Sequence, residues 1–271
     1  MTVQTKRPVS RCDIDRTGPF SELSAPLRAE LSELCRTRRL APGQTLVSDG
    51  EDADFVGCVT QGILKMQKTL QDGRQHIVGL LMPGDMFGRV FDGASWFAIE
   101  AATEAEAITF RRGRFEALLS KWPELERMMI LNILDELDSA REWMMVLSGH
   151  KVTERLAGFL LMLCRTRGAD ESAFCRIGGS LDIRVPLSRR DLANLLGTRP
   201  ESISRAVHAL ADAGVLAIRT PCIFEVNDLE ALIAASGNED LAECDEIQAL
   251  RAGLRAPSVV DPGQGRFGRG R

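Results

Sequence analysis

Apolar positions change period several times along the chain. Leu23, Leu27, Leu31 and Leu34 recur every three or four residues, which predicts a helix within Pro19–Arg39, with Ser24 as its cap and Pro26 in the first turn. From Pro42 to Phe110 the texture becomes short apolar runs: Thr45–Val47, Phe55–Val59, Ile63–Gln67, His76–Leu81 and Ile108–Phe110. Turn residues separate them, at Gly43, Gly50, Gly62, Asp72-Gly73, Gly84-Asp85 and Asp92-Gly93. Strands of that length and spacing predict an antiparallel β-roll. Helical spacing returns with Phe115, Leu118 and Leu119, and then with a long run comprising Leu125, Met128, Met129, Asn132, Ile133, Glu136, Leu137, Ala140, Met144 and Leu147. A helix of about 25 residues with this stripe reads as a dimerising coiled coil, the alternative being a core helix of one domain. Gly149 interrupts the pattern, and Val152–Cys164 resumes it. Residues 168–186 read as a loop with a strand or two.

The window Ser188–Ile218 carries the most specific pattern, SRRDLANLLGTRPESISRAVHALADAGVLAI. Ser188 and Asp191 form a capping box, Leu192, Leu195 and Leu196 make one short amphipathic helix, and Gly197 ends it. Thr198 is expected to cap the next helix, with Pro200 in its first turn and Ile203, Val207 and Leu210 on its buried face. Two short helices around a glycine turn are a helix-turn-helix. Val215–Arg219 and Ile223–Val226, turning at Thr220-Pro221, supply a wing. Glu201, Ser204 and Arg205 lie off the apolar face near the start of the second helix, where base edges are met. Arginine can grip guanine O6 and N7 in a fork, and glutamate can accept from cytosine N4. Ser188, Arg189, Arg199 and His208 complete the candidate DNA contacts, His208 as a phosphate contact.

Charge sharpens that reading only locally. The 271 residues carry 34 basic and 38 acidic side chains, a net −4, so overall charge does not announce nucleic acid. Around the helix-turn-helix, Arg184, Arg189, Arg190, Arg199, Arg205 and Arg219 stand against Asp191, Glu201 and Asp212, a local excess of positive charge. Apolar runs are far too short for a transmembrane helix, and the polar Met1–Arg11 segment does not read as a secretory signal, so a cytoplasmic location without membrane partners is expected. Seven scattered cysteines with no C-x-x-C pair argue against a zinc ribbon or a disulfide framework. A metal-dependent cupin enzyme would need two or three histidines converging in the barrel, and the roll holds only His76. No enzymatic activity is expected.

The segments PGQTLVSDGEDAD, TQGILKM and LLMPGDMFG, the long helix, VTERLAGFLLML and the helix-turn-helix window together resemble the CRP/FNR superfamily of bacterial transcription regulators, over roughly residues 20–235. The E-x-x-S-R at Glu201, Ser204 and Arg205 looks like its FNR/FixK branch. The resemblance implies an α+β chain: a cyclic-nucleotide-binding-like β-roll sensor (19–120), a dimerisation helix (121–149) and a winged helix-turn-helix (150–235); outside it, the polar, aperiodic residues 1–18 read as a mobile tail and the polar residues 236–271, rich in proline and glycine at their end, as a disordered one. It also implies a homodimer on double-stranded DNA reading a TTGAT-N4-ATCAA-like palindrome, controlling low-oxygen or redox-linked genes with RNA polymerase as partner. Phe91–Ser95 and Asp170–Ser172 are positional candidates for the polymerase surface. Leu125, Met129, Asn132, Ile133, Glu136, Leu137, Ala140, Met144 and Leu147 are the expected dimer seam. Ala140 stands where cluster-controlled members place a carboxylate, which favours constitutive pairing.

No cofactor is expected in the sensor. Cyclic AMP-binding members carry a glutamate after the glycine-rich turn and an arginine for the phosphate; here Arg89 follows Gly88, and no cation lies between Arg89 and Arg111. A four-cysteine iron–sulfur cluster lacks its ligands, leaving a non-standard set of Cys12, Cys35 and Cys58 as an alternative. Haem has only His76 as a candidate ligand in the roll, and His150 lies at the hinge before the helix-turn-helix region. Cys164, Cys175 and Cys222 are the candidates for thiol oxidation, with Arg165 and Arg167 near the first. Otherwise the regulator has no ligand or binds a small molecule without a recognisable motif.

Overall fold

The computed structural model describes residues 14, 18–91, 93–165, 175–177, 181–238, 247, 248, 250 and 251. They divide between two compact units, one drawn from residues 1–152 and 186–204, the other from 153–185 and 205–271. The Asp170–Ser172 loop and Cys12 lie outside the described residues.

Eight strands make the roll of the first unit: β1 (Arg36–Leu40), β2 (Thr45–Val47), β3 (Phe55–Gln61), β4 (Leu64–Thr69), β5 (Gln75–Leu81), β6 (Met86–Phe87), β7 (Ala98–Ala101) and β8 (Ala105–Arg111). They form two four-stranded sheets, β1-β8-β3-β6 and β2-β7-β4-β5, with every pairing antiparallel. Short apolar runs drive this arrangement: β3 and β8 are buried on both faces over most of their length, while β7 alternates. One core gathers Leu40, Val47, Val59, Leu64, Leu81 and Ile99. A second gathers Phe20, Leu27, Leu31, Phe110, Phe115 and Leu125. In it the Phe110 ring lies 5.5 Å from Phe20 and 5.4 Å from Phe115, tilted against both.

Several expectations at the amino-terminal end need correction. Helix α1 spans only Ala25–Leu34 after a 3-10 turn at Gly18–Phe20, and the chain continues as β1. Arg36, Arg38 and Arg39 are exposed on this edge strand, where charge suits solvent and no apolar stripe marks a strand. Ser24 occupies the cap position without capping, since its hydroxyl bonds the Glu124 carboxylate instead. Ile14, within the supposed tail, is buried in the second core.

Helix α2 (Arg112–Lys121) returns Phe115 and Leu118 to that core and leads into α3 (Pro123–Leu147), 25 residues opened by proline with Glu124 and Glu126 in the first turn. Leu125, expected on the dimer seam, is fully buried in its own chain. A first-turn residue of α3 lies close to α2, so its side chain is consumed by the core. Beyond it Ile130, Ile133, Leu137, Met144 and Leu147 remain exposed, as do Leu131, Leu134 and Met145. Helix α5 (Arg189–Leu195) and the first turn of α6 (Pro200–Asp212) also belong to this unit.

The second unit contains α4 (Val152–Arg165), β9 (Cys175–Ile177), β10 (Leu181–Arg184), the rest of α6, the hairpin β11 (Leu216–Thr220) and β12 (Ile223–Val226), and α7 (Leu229–Ser236). Its sheet runs β11-β12-β10-β9. Leu156, Phe159, Leu160, Leu210, Phe224 and Leu232 are buried. Gly214, at φ 74°, ends α6: Val215 N–H bonds the Leu210 carbonyl and Gly214 N–H bonds that of Ala211, the double bond that favours glycine at this corner. The expectation of a wholly disordered tail past residue 236 also fails. Ile247 and Leu250 are buried, and Arg251 makes a two-pronged ion pair with Glu230 at 2.6 Å. Alternation of apolar and polar positions there is too brief to stand out by period.

Candidate nucleic-acid interface

Helix α5 starts where its capping box dictates. The Asp191 N–H donates to Ser188 Oγ at 2.9 Å, and that hydroxyl donates to Asp191 Oδ2 at 2.7 Å. Gly197 turns the chain at φ 61°, with the Thr198 N–H bonded to the Ala193 carbonyl. Helix α6 then begins one residue later than expected. Its first bonds, from Ser202 and Ile203 N–H, go to the Arg199 carbonyl, so Arg199 rather than Thr198 stands at the cap position. Pro200 fixes that register by occupying the first helical position, where no N–H is needed.

Ile203, Val207 and Leu210 are buried, which turns Glu201, Arg205 and His208 to solvent on the opposite face. Ser204 is half-buried, its hydroxyl bonded 3.2 Å to the Pro200 carbonyl. Ser188 and Arg199 are exposed and Arg189 is half-buried. All seven sequence candidates therefore lie on α5, α6 and the turn between them. Arg219, counted in the local positive charge, is paired with Glu225 across the wing hairpin. A cross-strand pair is invisible until the register Ala217↔Glu225 and Ile218↔Phe224 is known.

Sequence reasoning missed the other partner of Asp191. Its Oδ1 accepts from Lys65 Nζ at 2.8 Å, and Lys65 also reaches Glu100 at 3.0 Å with only 11% of its side chain exposed. Burial alone would lower the Lys65 pKa; hydrogen bonds to Asp191 and Glu100 outweigh it and hold the ammonium above its ordinary range. A lysine inside an apolar strand carries no periodic signal of such a partner.

The sensor candidates are dispersed. Arg89 is exposed beside Gly88. Cys58 lies in the core, where burial and then the Asp85 charge push its thiol up to about 12; Cys35 is disulfide-bonded. These two do not offer the thiolate pair that a cluster with Cys12 would require. Among the described residues no three His, Cys, Asp or Glu side chains are grouped to hold a metal. His76 is half-buried on β5 and His150 is exposed. Cys164 and Cys222 are half-buried and outside any disulfide, Cys222 in the wing turn 3.6 Å from Thr220 Oγ1. Cys175 lies on β9. An apolar cavity of about 390 Å³, lined by Val56, Met86, Gly88, Leu119, Met129 and Ile133, opens between the roll and α3.

Comparison with known proteins agrees with this architecture. Residues 154–235 match the Crp-like helix-turn-helix domain and residues 37–121 the cyclic nucleotide-binding domain. Over 228 residues the chain is 33% identical to the transcriptional activator protein FnrL of Cereibacter sphaeroides, covering 84% of this chain and 91% of that one. It is 30% identical to the nitrogen fixation regulation protein FixK of Bradyrhizobium diazoefficiens, over 77% of this chain and 86% of that one. The structure of FixK2 from Bradyrhizobium japonicum superposes with a TM-score of 0.65 at 24% identity, covering 74% of this chain and 96% of that one. No described helix is long and apolar enough to cross a membrane. These relatives are named as a transcriptional activator and a regulation protein, not as enzymes, which disposes of the cupin alternative. A β-roll, a long helix and a winged helix-turn-helix, matched along most of their length by such relatives, make this chain a member of the CRP/FNR family of DNA-binding transcription regulators, in its FixK-like branch.

Proposed function

We propose that the protein acts as a homodimer that reads a TTGAT-N4-ATCAA-like palindrome and controls low-oxygen or redox-linked genes through RNA polymerase. The observation that carries this reading is the exposed face of α6, where Glu201 and Arg205 stand in solvent near the start of the helix that Pro200 opens. Dimerisation is supported by the exposed stripe of α3, in which Ile130, Ile133, Leu137, Ala140, Met144 and Leu147 alternate spacings of three and four, the period of a two-stranded seam. Two half-sites one helical turn apart match a two-fold protein. The regulated process rests on the family and on relatives named FnrL and FixK. Cyclic AMP is not the effector in this reading, because Arg89 stands where a glutamate is needed after Gly88 and no further cation is offered to a phosphate between Arg89 and Arg111.

Fluorescence anisotropy on a TTGAT-N4-ATCAA duplex tests it. Arg205→Ala should cost about 1–3 kcal/mol and relax preference at the guanine. A variant that binds as tightly and as selectively as the parent would remove Arg205 from base reading.

A second reading draws on Cys222. A half-buried free thiol in the wing makes oxidation there a direct route to weaker DNA contact. Loss of binding on peroxide treatment that Cys222→Ser abolishes would support it.

A further inference from the structure

Lys65 is an unusual occupant of its strand. It lies on β4, flanked by β7 and β5, and its side chain is almost fully enclosed. A cation there must be matched by acceptors, since an unpaired buried charge is strongly unfavourable. The roll supplies one carboxylate, Glu100 of β7, directly opposite in register and itself held by Gln67 Nε2 at 2.8 Å. The other comes from α5. Asp191 gives Oδ1 to Lys65 at 2.8 Å while Oδ2 accepts from the Ser188 hydroxyl. One carboxylate thus completes the cap of the first helix of the helix-turn-helix and fastens that helix to the roll. Leu192, Leu195 and Leu196 are buried behind it, and residues 186–204 are counted in the same compact unit as the roll.

The fastening leaves the DNA-facing groups open. Ser188, Arg190, Arg199 and Glu201 are all exposed with the Lys65–Asp191 bond made. It therefore does not mask the interface. We propose that Lys65 is a positioning residue for DNA recognition: the Glu100–Lys65–Asp191 bridge fixes the first helix of the helix-turn-helix on the roll, and so sets which half-site spacing the protein accepts. The inference rests on the dimeric, palindrome-reading function proposed above. A palindrome is gripped tightly only when both half-sites are engaged at once, and that requires each helix-turn-helix to be held at a fixed place. Loosening the tether should cost little on one half-site and much on the matched pair.

Binding of the full chain is to be measured on duplexes carrying a single TTGAT, and on palindromes with N3, N4 and N5 spacers, for the parent, Lys65→Met, Asp191→Asn and the double variant. Asp191→Asn keeps the backbone N–H that bonds Ser188, so the helix retains its cap if Lys65→Met fails to fold. The proposal expects about tenfold weaker binding to the N4 palindrome, a preference for N4 over N3 and N5 that falls toward unity, and unchanged single half-site binding. The double variant should lose no more than either single one. Retention of both the N4 affinity and the spacing preference in Asp191→Asn would overturn the proposal. Equal losses on single and paired sites would overturn it too, by showing a general folding defect. Failure of the parent to prefer any of these duplexes would instead refute the palindrome reading on which it rests.

Discussion

Burial separates cysteines that look alike in the sequence. The Cys58 thiol, pushed up to about 12 in the roll core, holds its proton at neutral pH, whereas Cys222 sits half-buried in the wing turn. Because the thiolate is the reactive form, mild iodoacetamide on the folded protein should label Cys222 and spare Cys58. Peptide mapping showing Cys58 modified first would contradict the placement. Asp85 offers a second check at this scale. Partial desolvation pushes its carboxyl up to about 6, opposed by the Met82 N–H and reinforced by the Glu136 charge on α3. A carboxyl raised in the fold favours the protonated state, so its contribution to stability is present below about 4 and is lost as pH rises through about 6. Its side chain is partly open to solvent, which keeps the effect under about 1 kcal/mol. Denaturation midpoints of Asp85→Asn should therefore lack that part of the parent's decline between pH 4 and pH 6.

At the scale of elements, α3 is the clearest case for a mutation. Leu137 lies in the middle of the exposed stripe, so if the proposed dimer pairs along α3, Leu137→Glu should leave the roll intact and halve the mass in light scattering, because a charge in an apolar seam lacks a partner. An unchanged mass would remove the seam from α3. Legibility followed how local each signal is. The helices α5 and α6 were readable because the cap, the glycine turn and the proline start are all encoded within a few residues, and even there the boundary moved by one residue when Arg199 took the cap position. Strands β2 and β5 were readable from apolar runs. The edge strand β1, written RTRRL, was not, since its pairing with β8 comes from 70 residues away and its own pattern is cationic. Lys65–Asp191, 126 residues apart, was hidden by topology, and Arg219–Glu225, close in sequence, by the register of its hairpin. Leu125 was misassigned because a helical stripe does not say which of its members meets the core and which meets a partner.

For the whole molecule, the DNA-facing surface must work against an acidic background of −4. Phosphate contacts are then local and salt-sensitive, since each one releases counterions from the duplex. Arg199→Ala should weaken binding almost equally on matched and mismatched sites and reduce the slope of log K against log salt by about 1. An unchanged slope would take Arg199 off the phosphate backbone. Strand β1 bears on a different property. Edge strands expose unpaired backbone groups that can template another chain, and three arginines on five residues make such stacking repulsive between identical copies. The consequence is colloidal: at high concentration this edge should resist edge-to-edge growth into fibrils, and neutralising Arg36, Arg38 and Arg39 together should make the protein gel or precipitate without first unfolding.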